Sequence, residues 1–182
     1  MDKQQIATNL AEAIFSECGP YINSSKRTLY RGIGDDDEPQ HHQRLKVNKN
    51  RIPLDSSDEL TSALNALYGQ TGSPVTRNNC IFTTTDERAA NDYGNTFVVF
   101  PIGEYHALWN NEIDDAYLVF EKLKKLTVDA ISQPFYTDLA SHPLGYVEVM
   151  IMCDYYYAVE KEFYENFVLS ALNELRYGFS AN

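Results

Sequence analysis

The spacing of apolar residues predicts helices at both ends of the chain. Over residues 3–17, Ile6, Leu10 and Ile14 recur at the three- and four-residue spacing of an amphipathic helix. The Gly19-Pro20 pair predicts where this helix ends. A closing helix is predicted over about residues 161–175.

Three more helices are predicted in the interior. Within residues 54–69, Leu60 and Leu64 lie on one helical face, and Ser56 or Ser57 is expected to cap the start. Residues 86–93 and about 112–123 predict the other two.

Short runs of β-branched and aromatic residues predict the strands. They are "RTLYRGI" (27–33), "CIFTTT" (80–85), "NTFVVFPIG" (95–103), "GYVEVMIMC" (145–153) and "YYYAVE" (155–160). Residues 34–53 are interpreted as a long polar loop. Helices and strands do not alternate regularly, which favours an α+β fold with a mixed or largely antiparallel sheet. The length of 182 residues fits one domain over 1–182.

Charge and hydropathy narrow the functional classes. The net charge of −11 argues against a nucleic-acid partner, because binding phosphates needs clustered cations. No apolar run approaches the 18 residues of a membrane span, and the polar N-terminus is unlike a signal peptide. A cytoplasmic location is expected. One stretch, "HHQRLKVNKNR" (41–51), is basic; it is either a solvated loop or a lip that attracts an anion.

The cysteines and histidines do not predict a metal or disulfide site. The three cysteines lie far apart, and Cys80 and Cys153 fall in strand-like runs typical of buried thiols. The four histidines also lack ligand spacing, so no metal is expected.

Three features carry candidate chemistry. Arg31 lies within an apolar strand, where a guanidinium usually has an acidic or phosphate partner. Three threonines, residues 83–85, lie at the end of a predicted strand. Their hydroxyls could serve a ligand, but strand propensity and helix capping also explain threonines at this position. Glu148 lies in the most apolar strand, a rare position for a carboxylate unless it is paired or functional. A structural Arg31–Glu148 pair remains the alternative.

The order of "LYRGI", "FTTTD" and "GYVEVMI" resembles the mono-ADP-ribosyltransferases of the arginine–serine–glutamate class, including phage- and bacterium-encoded members. The resemblance implies a split pair of mixed or antiparallel sheets with NAD in the cleft. It assigns Arg31 to the NAD phosphates and Glu148 to the nicotinamide ribose. It assigns Thr83 or Thr85, with Thr83 preferred, to support of the pocket and of the glutamate. The wider set of implied NAD-binding residues is Arg31, Gly32, Thr83, Thr84, Thr85, Tyr93 and Tyr146. Tyr93 or Tyr105 would stack on the nicotinamide.

The resemblance implies an NAD-dependent transferase that modifies a protein acceptor, in a host cytoplasm or a virion if phage-encoded. One departure is that Tyr146 stands where arginine-modifying members carry a glutamate or glutamine. Two alternatives therefore remain: an NAD glycohydrolase, and a non-enzymatic virion-associated or binding protein. The transferase interpretation predicts that Arg31, Thr83 and Glu148 face one cleft.

Overall fold

The computed structural model of the chain describes residues 2–25, 27–34, 41–52, 57–113, 135–141 and 147–178. Its helices are α1 (Lys3–Glu17), α2 (Gly19–Ser24), α3 (Asp58–Gly69) and α4 (Glu87–Asn91). The closing helix, α5, is α-helical over Lys161–Phe163 and Leu169–Tyr177, with a π-helical segment, Tyr164–Val168, between them. No helix in these ranges is long and apolar enough to cross a membrane.

Aspartate or serine side chains cap the starts of α1, α3 and α4. Asp2 accepts from the Gln4 amide at the start of α1, and Ser57 accepts from the Leu60 amide at the start of α3. Of the two predicted cap residues, Ser57 is the one that caps α3. Asp86 caps α4 by accepting from two amide groups of its first turn. Each cap pairs donors that the first helical turn leaves without intrahelical partners.

Seven strands form one antiparallel sheet, which confirms the α+β prediction. They are β1 (Leu29–Ile33), β2 (His42–Lys46), β3 (Ile81–Thr84), β4 (Asn95–Ile102), β5 (His106–Trp109), β6 (Glu148–Met152) and β7 (Tyr155–Glu160). The strand order is β2-β7-β4-β1-β3-β6-β5. β1 meets β3 at the pair Tyr30–Thr84, whereas β1 and β4 are in register over five pairs. The short β1–β3 contact therefore joins a four-stranded part to a three-stranded part.

β6 separates two hydrophobic cores. Val149 and Ile151 belong to the main core, together with α1 and α5. Met150 belongs to a second core beneath α3, which contains Leu60 and Leu64. Since side chains alternate along a strand, Glu148 lies on the same face of the sheet as Met150. The face of Glu148 is thereby fixed by packing on both sides.

The predicted long loop over 34–53 is wrong at residues 42–46, which form β2. β2 is an edge strand that pairs with β7, and Leu45 is its only aliphatic residue. An exposed edge strand therefore lacks the apolar alternation that sequence patterns detect. α2 and β5 were also not predicted. The helix predicted around residues 112–123 lies, from residue 114 onward, outside the described residues.

Candidate functional site

Glu148 forms a largely buried ion pair with an arginine that the sequence did not single out. Its Oε1 lies 3.3 Å from Nη1 of Arg77, and the two side chains are 15% and 6% exposed. Arg77 lies in the turn before β3, and its backbone is hydrogen-bonded to α3. The structural pair considered from sequence, Arg31 with Glu148, is thus replaced by a pair of Arg77 with Glu148.

Three arginines converge on Phe82. The guanidinium carbons of Arg51 and Arg77 each lie 4.5 Å from the centre of the Phe82 ring. Nη1 of Arg31 donates to the Phe82 carbonyl oxygen at 3.0 Å. Guanidinium groups bind favourably over aromatic faces, which supply partial negative charge. We call Arg31, Arg51 and Arg77 the Phe82 arginine cluster.

The charges of this cluster repel one another. Burial, followed by the positive charge of Arg31, lowers the pKa of Arg51, and Arg77 adds to this repulsion. Burial would also lower the pKa of Arg77, but the Glu148 carboxylate and Tyr68 together outweigh it and raise that pKa. Three arginines and one glutamate leave two positive charges in excess among these four groups. An added anion would relieve the repulsion.

The buried thiol of Cys80 reports that the four charged groups lie together. Burial raises its pKa to about 12, and the negative charge of Glu148 acts in the same direction. The charges of Arg51, Arg77 and Arg31 act on the same thiol in the opposite direction. Since charge effects fall with distance, all four groups lie near Cys80, the residue before β3.

Two asparagines fix the backbone that carries Arg51 and Arg77. The Asn65 side chain, on α3, accepts from the Arg77 amide at 2.8 Å and donates to the Asn78 side chain at 2.7 Å. Asn78 in turn donates its side-chain amide to the Arg51 carbonyl at 3.0 Å, and its own carbonyl accepts from the Arg51 amide. Helix α3 thus positions two separate arginine-bearing segments through one hydrogen-bonded chain.

The threonines do not all face the glutamate. Thr83 is opposite Val149, and its hydroxyl donates to the Val149 carbonyl at 2.9 Å within the main-core side of the sheet. Thr84 is the residue opposite Glu148, and its hydroxyl accepts from the Asp86 amide at 3.1 Å. The resemblance implied that Thr83 supports the carboxylate, but in this register Thr84 is the threonine opposite Glu148. Thr85 follows the end of β3.

Gly32 serves packing between α4 and β1. A Cβ atom at this position would lie 2.2 Å from the Ala90 carbonyl oxygen and 2.8 Å from Tyr93. Gly94 has φ of 128°, and a Cβ there would lie 2.4 Å from the Ile33 carbonyl oxygen. These two glycines let the helix and the following strand approach β1 closely. Packing against Ile33 thus accounts for the glycine that ends the "TTTDERAANDYG" segment.

The two tyrosines predicted to stack on nicotinamide lie in different surroundings. Tyr93 is 58% exposed beside β1. The hydroxyl of Tyr105 lies 2.7 Å from the Ser24 hydroxyl, at the end of β5 that pairs with Met152. Met152 is four residues from Glu148, which is about 13 Å along a strand. Tyr105 is therefore not part of the glutamate's surroundings, and Tyr146 lies outside the described residues.

The structure thus places Arg31 and Glu148 in one group of charged side chains, which also includes Arg51 and Arg77. Thr83 lies on the other face of the sheet from Glu148. Arg51 ends the basic stretch 41–51, so the anion-attracting interpretation of that stretch was the available signal. Arg77 stands alone in a polar turn, and no spacing marks it. Chemically, the cluster can bind a doubly charged anion beside a carboxylate.

Among the described residues, no group of three or more histidine, cysteine and acidic side chains could hold a metal ion. In comparisons with known proteins, no family model, no curated protein and no solved structure matches the chain.

Proposed function

We propose that the chain is an NAD-dependent mono-ADP-ribosyltransferase that modifies a protein acceptor. The observation that carries the proposal is that the three arginines of the Phe82 arginine cluster meet one carboxylate, Glu148, through Arg77. These four groups carry two positive charges in excess. The pyrophosphate of NAD carries two negative charges, and guanidinium groups bind phosphate oxygens bidentately. The sequence resemblance that names Arg31 and Glu148 supports the same assignment.

Each residue has a chemical duty in this proposal. Arg31 and Arg51 bind the pyrophosphate, and Arg77 holds the Glu148 carboxylate through Oε1. A carboxylate has acceptor sites on both oxygens, so the pairing with Arg77 is compatible with accepting a ribose hydroxyl. When the bond between nicotinamide and ribose breaks, positive charge develops on the ribose, and a fixed carboxylate stabilises it. Thr84, opposite Glu148, takes the supporting position that the resemblance gave to Thr83.

The acceptor is proposed to be a protein with a basic surface, because the net charge of the chain is −11. The setting is proposed to be a cytoplasm, where NAD is available, either the cell's own or that of a phage host. Water as the acceptor would make the chain an NAD glycohydrolase instead.

The direct test is incubation with NAD labelled in the adenylate part, with and without cell extract. The proposal predicts a labelled protein band, which is lost in Glu148→Gln and kept in the control Glu162→Gln, a change of an exposed glutamate. Nicotinamide release that is equal with and without extract would identify hydrolysis. A folded wild-type protein that gives neither label nor nicotinamide would contradict both activities.

A non-enzymatic binding protein is the second candidate, and one observation favours it. The Arg77–Glu148 pair is only 6% and 15% exposed, as in a structural ion pair. Calorimetry distinguishes the two: NAD binding with no nicotinamide release in any extract identifies a binding protein that keeps the site.

A further inference from the structure

A cavity of about 310 Å³ lies between α2, residues 25, 27 and 28, β4 and α5. None of its lining residues belongs to the Phe82 arginine cluster. Ligand sites typically have volumes from about 300 Å³ upward, so the cavity suits a small molecule.

The floor of the cavity is apolar and buried. It is formed by Tyr21, Ile22, Phe100 and Leu172, which are each no more than 6% exposed. The Tyr21 hydroxyl already has a protein acceptor, because it donates to the Arg27 carbonyl at 2.7 Å. The rings of Tyr21 and Phe100 meet edge to face with centres 6.0 Å apart. This floor matches a flat aromatic body.

The described part of the cavity wall is positively charged in an acidic protein. Among the described residues, Arg27 and Arg176 line the cavity and no aspartate or glutamate does, although the chain has 26 acidic residues. The Arg176 guanidinium donates to the Ile22 carbonyl, which orients the group and leaves its charge in place. The Arg176 charge acts on Tyr164, another residue of the cavity wall. Burial raises the pKa of Tyr164 to about 12, and the positive charge of Arg176 opposes this rise.

We propose that this cavity binds a small aromatic anion, with the ring on the floor and a phosphate or carboxylate at Arg176. The apolar floor contributes burial, and the arginine contributes charge-assisted hydrogen bonds. The site is independent of the proposed transferase activity.

The test is calorimetric titration with phenyl phosphate, compared with inorganic phosphate and with phenol. Because the site combines a floor and a charge, phenyl phosphate is expected to bind at least about tenfold more tightly than either fragment. Equal affinity for phenyl phosphate and inorganic phosphate, or no phenyl phosphate binding, would overturn the proposal.

Four variants locate the binding. Arg176→Gln should weaken phenyl phosphate binding by at least about tenfold. Leu169→Trp, which fills the cavity from its partly exposed wall without removing a charge, should also weaken it. Arg88→Gln, an exposed arginine outside the cavity, and Arg51→Gln should leave it unchanged. Loss of binding in Arg51→Gln, or retention in the folded Leu169→Trp protein, would show that the cavity is not the site.

Discussion

Replacing Arg77 with methionine should destabilise the protein strongly, because it removes the buried guanidinium that pairs with the Glu148 carboxylate. The two side chains are 6% and 15% exposed, so little water is available to replace the guanidinium. Breaking such a pair from one side costs about 3–5 kcal/mol. A typical domain has a total stability of about 5–15 kcal/mol, so this loss is a large fraction. Methionine keeps part of the apolar stem and so limits the change in packing.

Urea unfolding at pH 7 measures the effect, and the chain supplies a matched control. Arg44 and Glu17 form a pair at 3.6 Å whose side chains are 49% and 38% exposed. Arg44→Met should therefore cost less than about 1 kcal/mol. Combining Arg77→Met with Glu148→Leu should restore much of the loss, because no buried charge of the pair remains. If Arg77→Met costs no more than Arg44→Met, the buried-pair reasoning is wrong.

Three further predictions concern packing and protonation. Gly32→Ala should lower the free energy of unfolding by about 1–3 kcal/mol, because the added Cβ would lie 2.2 Å from a backbone oxygen. Gly34→Ala is the control, since a Cβ there would have nothing within 4 Å. Equal effects of the two changes on urea unfolding would contradict the close packing at Gly32. The buried cysteines should not react with a thiol reagent at pH 8 until urea unfolds the chain, since burial raises the pKa of Cys80 to about 12; rapid native labelling would refute this. Burial lowers the pKa of His42 below its usual 6.5, so stability should fall as pH drops from about 7 through that lowered pKa. His42→Gln should reduce this slope, and a slope equal to the wild type's would contradict it.

Local signals predicted the elements that depend on local chemistry. The apolar face of α1 and the Ser57 cap of α3 follow from residues within a few positions of each other. β2 could not be predicted in this way, because its pairing with β7 joins residues more than 100 positions apart. Edge strands depend on such distant partners and need little apolar content of their own.

The candidate site shows the same division. Alternation along β6 correctly separated Glu148 from Val149 and Ile151, since that pattern is local. Which threonine lies opposite Glu148 depends on the register between β3 and β6, and a shift of one residue exchanges the faces. The arrival of Arg51 and Arg77 at Phe82 depends on hydrogen bonds from Asn65 and Asn78, which leave no periodic signal in the sequence.

Calorimetric titration of NAD into wild type and Arg51→Gln tests most directly the proposed binding of the NAD pyrophosphate to the Phe82 arginine cluster. Charged hydrogen bonds contribute about 1.5–3 kcal/mol each, so Arg51→Gln should weaken NAD binding by at least about tenfold. The control is Arg44→Gln, which changes an arginine of β2 that lies over the Tyr155 ring. This variant should leave the NAD affinity unchanged. Unaltered NAD affinity in Arg51→Gln, or no NAD binding by the folded wild-type protein, would contradict pyrophosphate binding by this cluster.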